Sequence, residues 1–162
     1  MKKFLLSLIS LLFLIIIGAC SGYKPIFGTS NLKFKIADYS ITGDKKLGNQ
    51  IYSRLNSLSK SNENSPEAID VFILIQTSKN KNATAKNTAG KILGYRINLS
   101  TQVIAKDLST GDEILNETFS YSLTYKTQDE FFETKKLENQ SIENLINSTY
   151  QDLMIKLTES FL

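Results

Sequence analysis

The chain has 162 residues with 19 Lys and Arg against 16 Asp and Glu, a formal net charge of +3, one Cys, no His and no Trp. Without His there is no imidazole for acid–base work and the commonest zinc ligand is missing. Neither a Gly-rich phosphate cradle nor a Gly-x-Ser-x-Gly elbow occurs, so nothing recommends an enzyme, and no metal or other cofactor is expected.

The chain opens Met1-Lys2-Lys3, continues with an apolar run from Phe4 to Ile17, and reaches Gly18-Ala19-Cys20. Two lysines ahead of a short apolar stretch predict a secretory signal over residues 1–19. Sixteen residues from Phe4 through Ala19 fall short of the ~20 of a comfortable membrane span, with a plain spanning anchor as the alternative. Ile17-Gly18-Ala19-Cys20 resembles the bacterial lipobox, which marks Cys20 as the lipidation site. Its sulfur would take a diacylglyceryl group and its freed amine a further chain. Each buried CH₂ contributes ~0.8 kcal/mol, so two or more chains hold a protein at a membrane. A lone cysteine cannot form an internal disulfide, and acylation gives it a use. Ser21 rather than Asp follows it, which points to the outer membrane.

Cleavage before Cys20 would leave 143 residues carrying a net charge of +1. That suits one domain with a proper core, and it removes the main support for a nucleic-acid partner. Residues 20–31 form the acylated cysteine and a Gly-, Ser- and Pro-interrupted tether, and residues 32–162 the domain.

The first strand is predicted over Leu32–Ile41. Leu32, Phe34 and Ile36 alternate with lysines, then Tyr39 and Ile41 resume out of phase, so a bulge falls near Ala37-Asp38. Asp44 caps a helix whose stripe is Leu47, Ile51, Leu55 and Leu58, ended by the Ser/Asn-rich residues from Ser59 to Ser65. The apolar run Ile69–Thr77 predicts a covered strand with a neighbour on each side, and Ser78–Gly90 a polar loop or frayed hairpin end. Ile92–Lys106 alternates: Tyr95, Ile97, Leu99, Thr101, Val103 and Ala105 against Arg96, Asn98, Ser100 and Gln102. After a turn at Asp107–Asp112, Glu113–Lys126 repeats the pattern. Leu115, Phe119, Tyr121, Leu123 and Tyr125 oppose Asn116, Thr118, Ser120, Ser122 and Thr124. Thr127-Gln128-Asp129-Glu130 has capping-box spacing, and Phe131 is placed to dock the first turn of a closing helix. That helix carries Ile142, Leu145, Ile146, Thr149, Leu153, Leu157 and Phe161 to about Ser160. The order predicts an α+β fold, a two-layer sandwich of a four-stranded mixed sheet with two helices packed on one face.

Two surfaces stand out. The outward residues Asn98, Ser100, Gln102, Thr118, Ser120 and Ser122 are polar yet uncharged, unlike the Lys/Glu mixture of ordinary solvent-facing strands. Short hydroxyls and amides can be buried against another polar wall, the alternative being a merely solvated face. Lys79, Lys81, Lys86, Lys91 and Arg96 gather around the loop between strands two and three, with Lys135 and Lys136 early in the last helix. Such cations suit a phosphorylated lipid head group, the alternative being a solvated loop.

The signal ending at Cys20, the segment Ser21-Gly22-Tyr23-Lys24-Pro25-Ile26-Phe27-Gly28, the element order, and Ser120-Tyr121-Ser122 ahead of a long helix resemble LptE. This is the lipopolysaccharide-assembly lipoprotein family, and the likeness is to its alphaproteobacterial branch. The resemblance implies a non-catalytic lipoprotein of the outer membrane, on the periplasmic side. Such a protein plugs and helps assemble the LptD β-barrel and binds lipopolysaccharide. It makes Lys86, Lys91, Arg96, Lys135 and Lys136 the lipopolysaccharide-binding candidates and the polar sheet residues the barrel-facing ones. The alternative is an auxiliary lipoprotein of another envelope complex, such as an ABC-type intermembrane lipid transporter.

Overall fold

The computed structural model describes residues 32–61 and 65–161. The expected signal, Cys20 and the tether lie outside the described residues. Among those residues the elements run β1 (Phe34–Gly43), α1 (Lys45–Ser61), β2 (Ile69–Lys86), β3 (Ile92–Asp107), β4 (Glu113–Lys126) and α2 (Phe131–Ser160). The sheet order is β1-β2-β3-β4, with β1 parallel to β2 and the remaining pairs antiparallel. Parallel neighbours need a crossover connection, and α1 supplies it. The expected α+β sandwich with a four-stranded mixed sheet is therefore present. None of the helices among the described residues is long and apolar enough to cross a membrane.

Alternation builds the core. Val71, Ile73 and Ile75 of β2, Ile97, Leu99 and Val103 of β3, and Leu115 and Phe119 of β4 are all buried. They meet Leu47, Ile51 and Leu55 of α1 and Leu145, Ile146, Leu153 and Leu157 of α2. The stripe of α2 tolerates Ser141 and Thr149 because each hydroxyl donates to a carbonyl one turn back, at 2.8 and 2.9 Å. The β1 register shifts between Ile36 and Asp38, the expected bulge. It sets Tyr39 and Ile41 opposite Ile73 and Ile75, and Tyr39 stacks on Tyr52 of α1 at 3.9 Å. At the other end of the chain, Phe161 stacks on Phe34 at 5.6 Å.

Several boundaries differ from expectation. Of the loop and the frayed hairpin end expected at Ser78–Gly90, the hairpin is found: Ser78–Lys86 continues β2, unfrayed, and pairs with β3 from Ser100 back to Ile92. Its polar side chains gave no strand signal; the partner strand supplies the hydrogen bonds that hold it extended. The connection shrinks to the turn at Asn87–Lys91, closed by Asn87 N–H donating to Lys91 O at 3.0 Å. Helix α1 runs past Ser59, which is buried and accepts a hydrogen bond from Ile36 N–H at 2.7 Å. The expected capping box is absent: Glu130 is the N-cap of α2 and makes no side-chain cap bond. Thr127 Oγ1 instead donates to Ile92 O at 3.0 Å, while Gln128 N–H donates to Thr134 Oγ1 at 2.8 Å. Phe131 does not dock, being 82% exposed.

Candidate interaction surface

Since odd-numbered residues of β2, β3 and β4 turn toward the helices, even-numbered ones form the opposite face of the sheet. Cross-strand register lines them up in rows three strands wide: Gln76-Gln102-Thr118, Ser78-Ser100-Ser120 and Asn80-Asn98-Ser122. With strands ~4.8 Å apart, each row spans about 10 Å. All six barrel-facing candidates (Asn98, Ser100, Gln102, Thr118, Ser120 and Ser122) fall in these rows. Ser100 and Ser120 share a hydroxyl–hydroxyl bond at 3.2 Å, and Gln102 Nε2 donates to Asn116 Oδ1 at 3.1 Å. Ser78, Asn80, Asn98, Ser100, Ser120 and Ser122 line a shallow depression of about 330 Å³.

The face is graded along the strands. Toward the start of β2, Phe72, Leu74 and Ile104 sit half-buried on it, Leu74 opposite Ile104. Toward the far end, Arg96 lies between Asn82 and Thr124, its Nε donating to Thr124 Oγ1 at 3.4 Å. The surface thus passes from an apolar patch bordered by Lys106, opposite Phe72, through uncharged polar, to basic. Ser78, Asn80 and the apolar end were missed by sequence reasoning. The first two were placed in a polar loop or frayed hairpin end, though the even-residue phase of β2 runs on through them; Phe72 and Leu74 were taken as covered.

The basic candidates do not converge on one point. Lys91 and Lys135 border a second depression of about 490 Å³, together with Lys81, Tyr95, Phe131 and Glu138. Lys81 reaches it from the helix side of β2: its Nζ lies 2.8 Å from Glu138 and 4.2 Å from the centre of the Tyr95 ring. Lys135 shares Glu138 at 3.2 Å, and Lys91 faces Asp129 at 3.5 Å. Burial works to raise the Glu138 carboxyl, but Lys81 and Lys135 outweigh it and hold the group below its usual range. Lys136 pairs with Glu133 at 3.8 Å along the helix, and Lys79 with Asp44 at 3.7 Å. Lys86 is exposed at the end of β2, and Arg96 points to the open face. At the β4 edge, Tyr121 donates its hydroxyl to Asp152 of α2; burial and that carboxylate push the phenol up to about 12.

No protein-family model matches this chain, and no curated protein matches it by sequence. Solved structures do resemble it. A provisionally assigned lipoprotein from Caulobacter crescentus CB15 superposes with TM-score 0.53 at 14% identity, over 81% of this chain and 92% of that one. An uncharacterised lipoprotein B from Nitrosomonas europaea gives 0.54 at 16%, over 82% and 88%. A minor lipoprotein from Acinetobacter baumannii gives 0.51 at 12%, over 78% and 93%. The chain is thus an α+β two-layer domain with one sheet face left open by its described residues. More particularly, its fold is the one these three bacterial proteins share.

Proposed function

We propose that this chain is a lipoprotein of the outer membrane, acylated at Cys20, that plugs and helps assemble an LptD-like β-barrel for lipopolysaccharide transport and insertion. Its role is non-catalytic. The observation that carries the proposal is the open face, three strands wide and built from short uncharged side chains with a half-buried apolar end. Such a face can satisfy its polar groups against the polar lumen of a barrel and bury its apolar end at the same time. The likeness in fold to three proteins described as lipoproteins supports the same reading.

Affinity purification from native membranes tests it. The expected outcome is recovery with a large outer-membrane barrel, and depletion should lower surface lipopolysaccharide. Recovery only as a free monomer, or unchanged surface lipopolysaccharide, would count against the proposal. Ser100→Glu and Ser120→Arg should weaken the complex at least about tenfold by placing an unpaired charge in the contact. Both should leave the circular dichroism of the isolated protein unchanged, because the two hydroxyls lie outside the core.

A further inference from the structure

Phe131 and Phe132 are 82% and 72% exposed, far more than Tyr39, Leu93 or Leu108, the other exposed large hydrophobic side chains among the described residues. They open α2, whose N-cap offers no side-chain bond. Leu93, 43% exposed, lies at the same end of the sheet, its carbonyl accepting from Thr127 N–H at 3.0 Å. Two adjacent aromatics in water at one pole of a folded domain have no use in its own core.

Three features say what covers them. Successive helical positions diverge by about 100°, so the two rings point apart. One pocket on a rigid protein cannot seat both, whereas a layer of acyl chains surrounds each. Next, Lys135 and Lys136 stand four residues on, one turn below Phe131 and Phe132 on the same faces. An aromatic ring with a long cation just behind it is the arrangement that lets the ring enter an apolar layer while the ammonium stays at the head groups. Finally, the cations at this end of the sheet and helix (Lys81, Lys86, Lys91, Lys126, Lys135 and Lys136) outnumber Asp129, Glu130, Glu133 and Glu138. The balance favours an anionic surface.

The pole is also remote from where the chain enters the fold. Phe34 pairs with Ile69 at the start of β2, and β2 then runs 18 residues toward the tip, roughly 60 Å at 3.3 Å per residue. We infer that the Phe131–Phe132 pole inserts into an anionic lipid surface distinct from the one holding Cys20. This inference rests on the acylation at Cys20 proposed above, but not on the barrel.

The absence of tryptophan provides the test. Full-length acylated protein carrying Phe132→Trp is reconstituted in one vesicle population and mixed with a second containing phosphatidylglycerol with brominated chains. The introduced indole should shift its emission to shorter wavelength and be quenched by the bromines. Leu108→Trp, in the turn at the opposite pole, should show neither. Clustering of the two populations should fall at least about tenfold in Phe131→Ser/Phe132→Ser, which removes both rings from the apolar layer. Lys135→Glu/Lys136→Glu should cut it again without touching the rings. Unchanged emission, equal clustering by the variants, or equal response to purely zwitterionic vesicles would overturn the inference. A shift that requires the purified barrel and not lipid would replace it with a protein contact. Co-purification of the double serine variant with the barrel separates failure here from failure of the proposed function.

Discussion

At the level of single residues, Gly43 is the position with least freedom. Its φ of +78° lies in the left-handed region, and a Cβ there would sit 1.9 Å from the carbonyl oxygen of Thr77. The close approach is what allows Asp44 N–H to donate to that same carbonyl at 2.8 Å and Thr77 Oγ1 to donate to Asp44 O at 2.7 Å. Asp44 then caps α1 by accepting from Leu47 N–H at 3.3 Å. Gly43→Ala should cost about 2 kcal/mol or more, since it adds a left-handed penalty to a backbone collision. A lowered urea midpoint with an unchanged slope is the measurement that checks it. The sequence Gly-Asp announces a helix start; the collision with a strand more than thirty residues away is invisible in it.

At the level of elements, legibility followed period. β3 and β4 alternate strictly, and the stripe of α2 keeps its helical spacing, so their faces could be read directly. The far half of β2 was not legible: Ser78–Lys86 is polar throughout and becomes a strand only because β3 lies beside it. The start of α2 misled for a related reason, as Thr127 bonds across to Ile92 O rather than along its own chain. The hold of α2 on the β4 edge rests in part on Tyr121 and Asp152. The Tyr121 phenol is raised from 10.0 to about 12 by burial and by Asp152. A raised value stabilises the fold fully below pH 10, and the contribution is lost as pH climbs through 12. Tyr121→Phe should therefore be less stable than the parent at neutral pH by up to about 1 kcal/mol. That difference should vanish between pH 10 and 12 in urea titrations run across the window.

Across the whole molecule, the β3 and β4 part of the open face was legible from alternation alone, whereas its β2 part and the basic residues' positions were not. Cations close in sequence separate in space: Arg96 goes to the open face, while Lys81 and Lys135 meet around Glu138 on the helix side. That second group ties the projecting end of the sheet to α2, with Tyr125 Oη donating to Glu138 at 3.3 Å. The Glu138 carboxyl is held below its ordinary 4.5. A lowered value contributes above pH 4.5 and is lost as pH falls through the folded value. Glu138→Gln should cost about 1 kcal/mol at pH 7 and flatten the acid limb of the stability profile, a result chemical denaturation from pH 7 down to 3 can read.

The parallel pairing of β1 and β2 bears on how the molecule carries force. A pull on the chain ahead of Leu32, resisted by a partner gripping β2, β3 and β4, runs along the strand axis. The nine paired positions from Phe34 to Gly43 then share the load in shear instead of parting one after another. With Cys20 acylated as proposed, the body would in this way be spliced to its mooring like the overlapped strands of a rope.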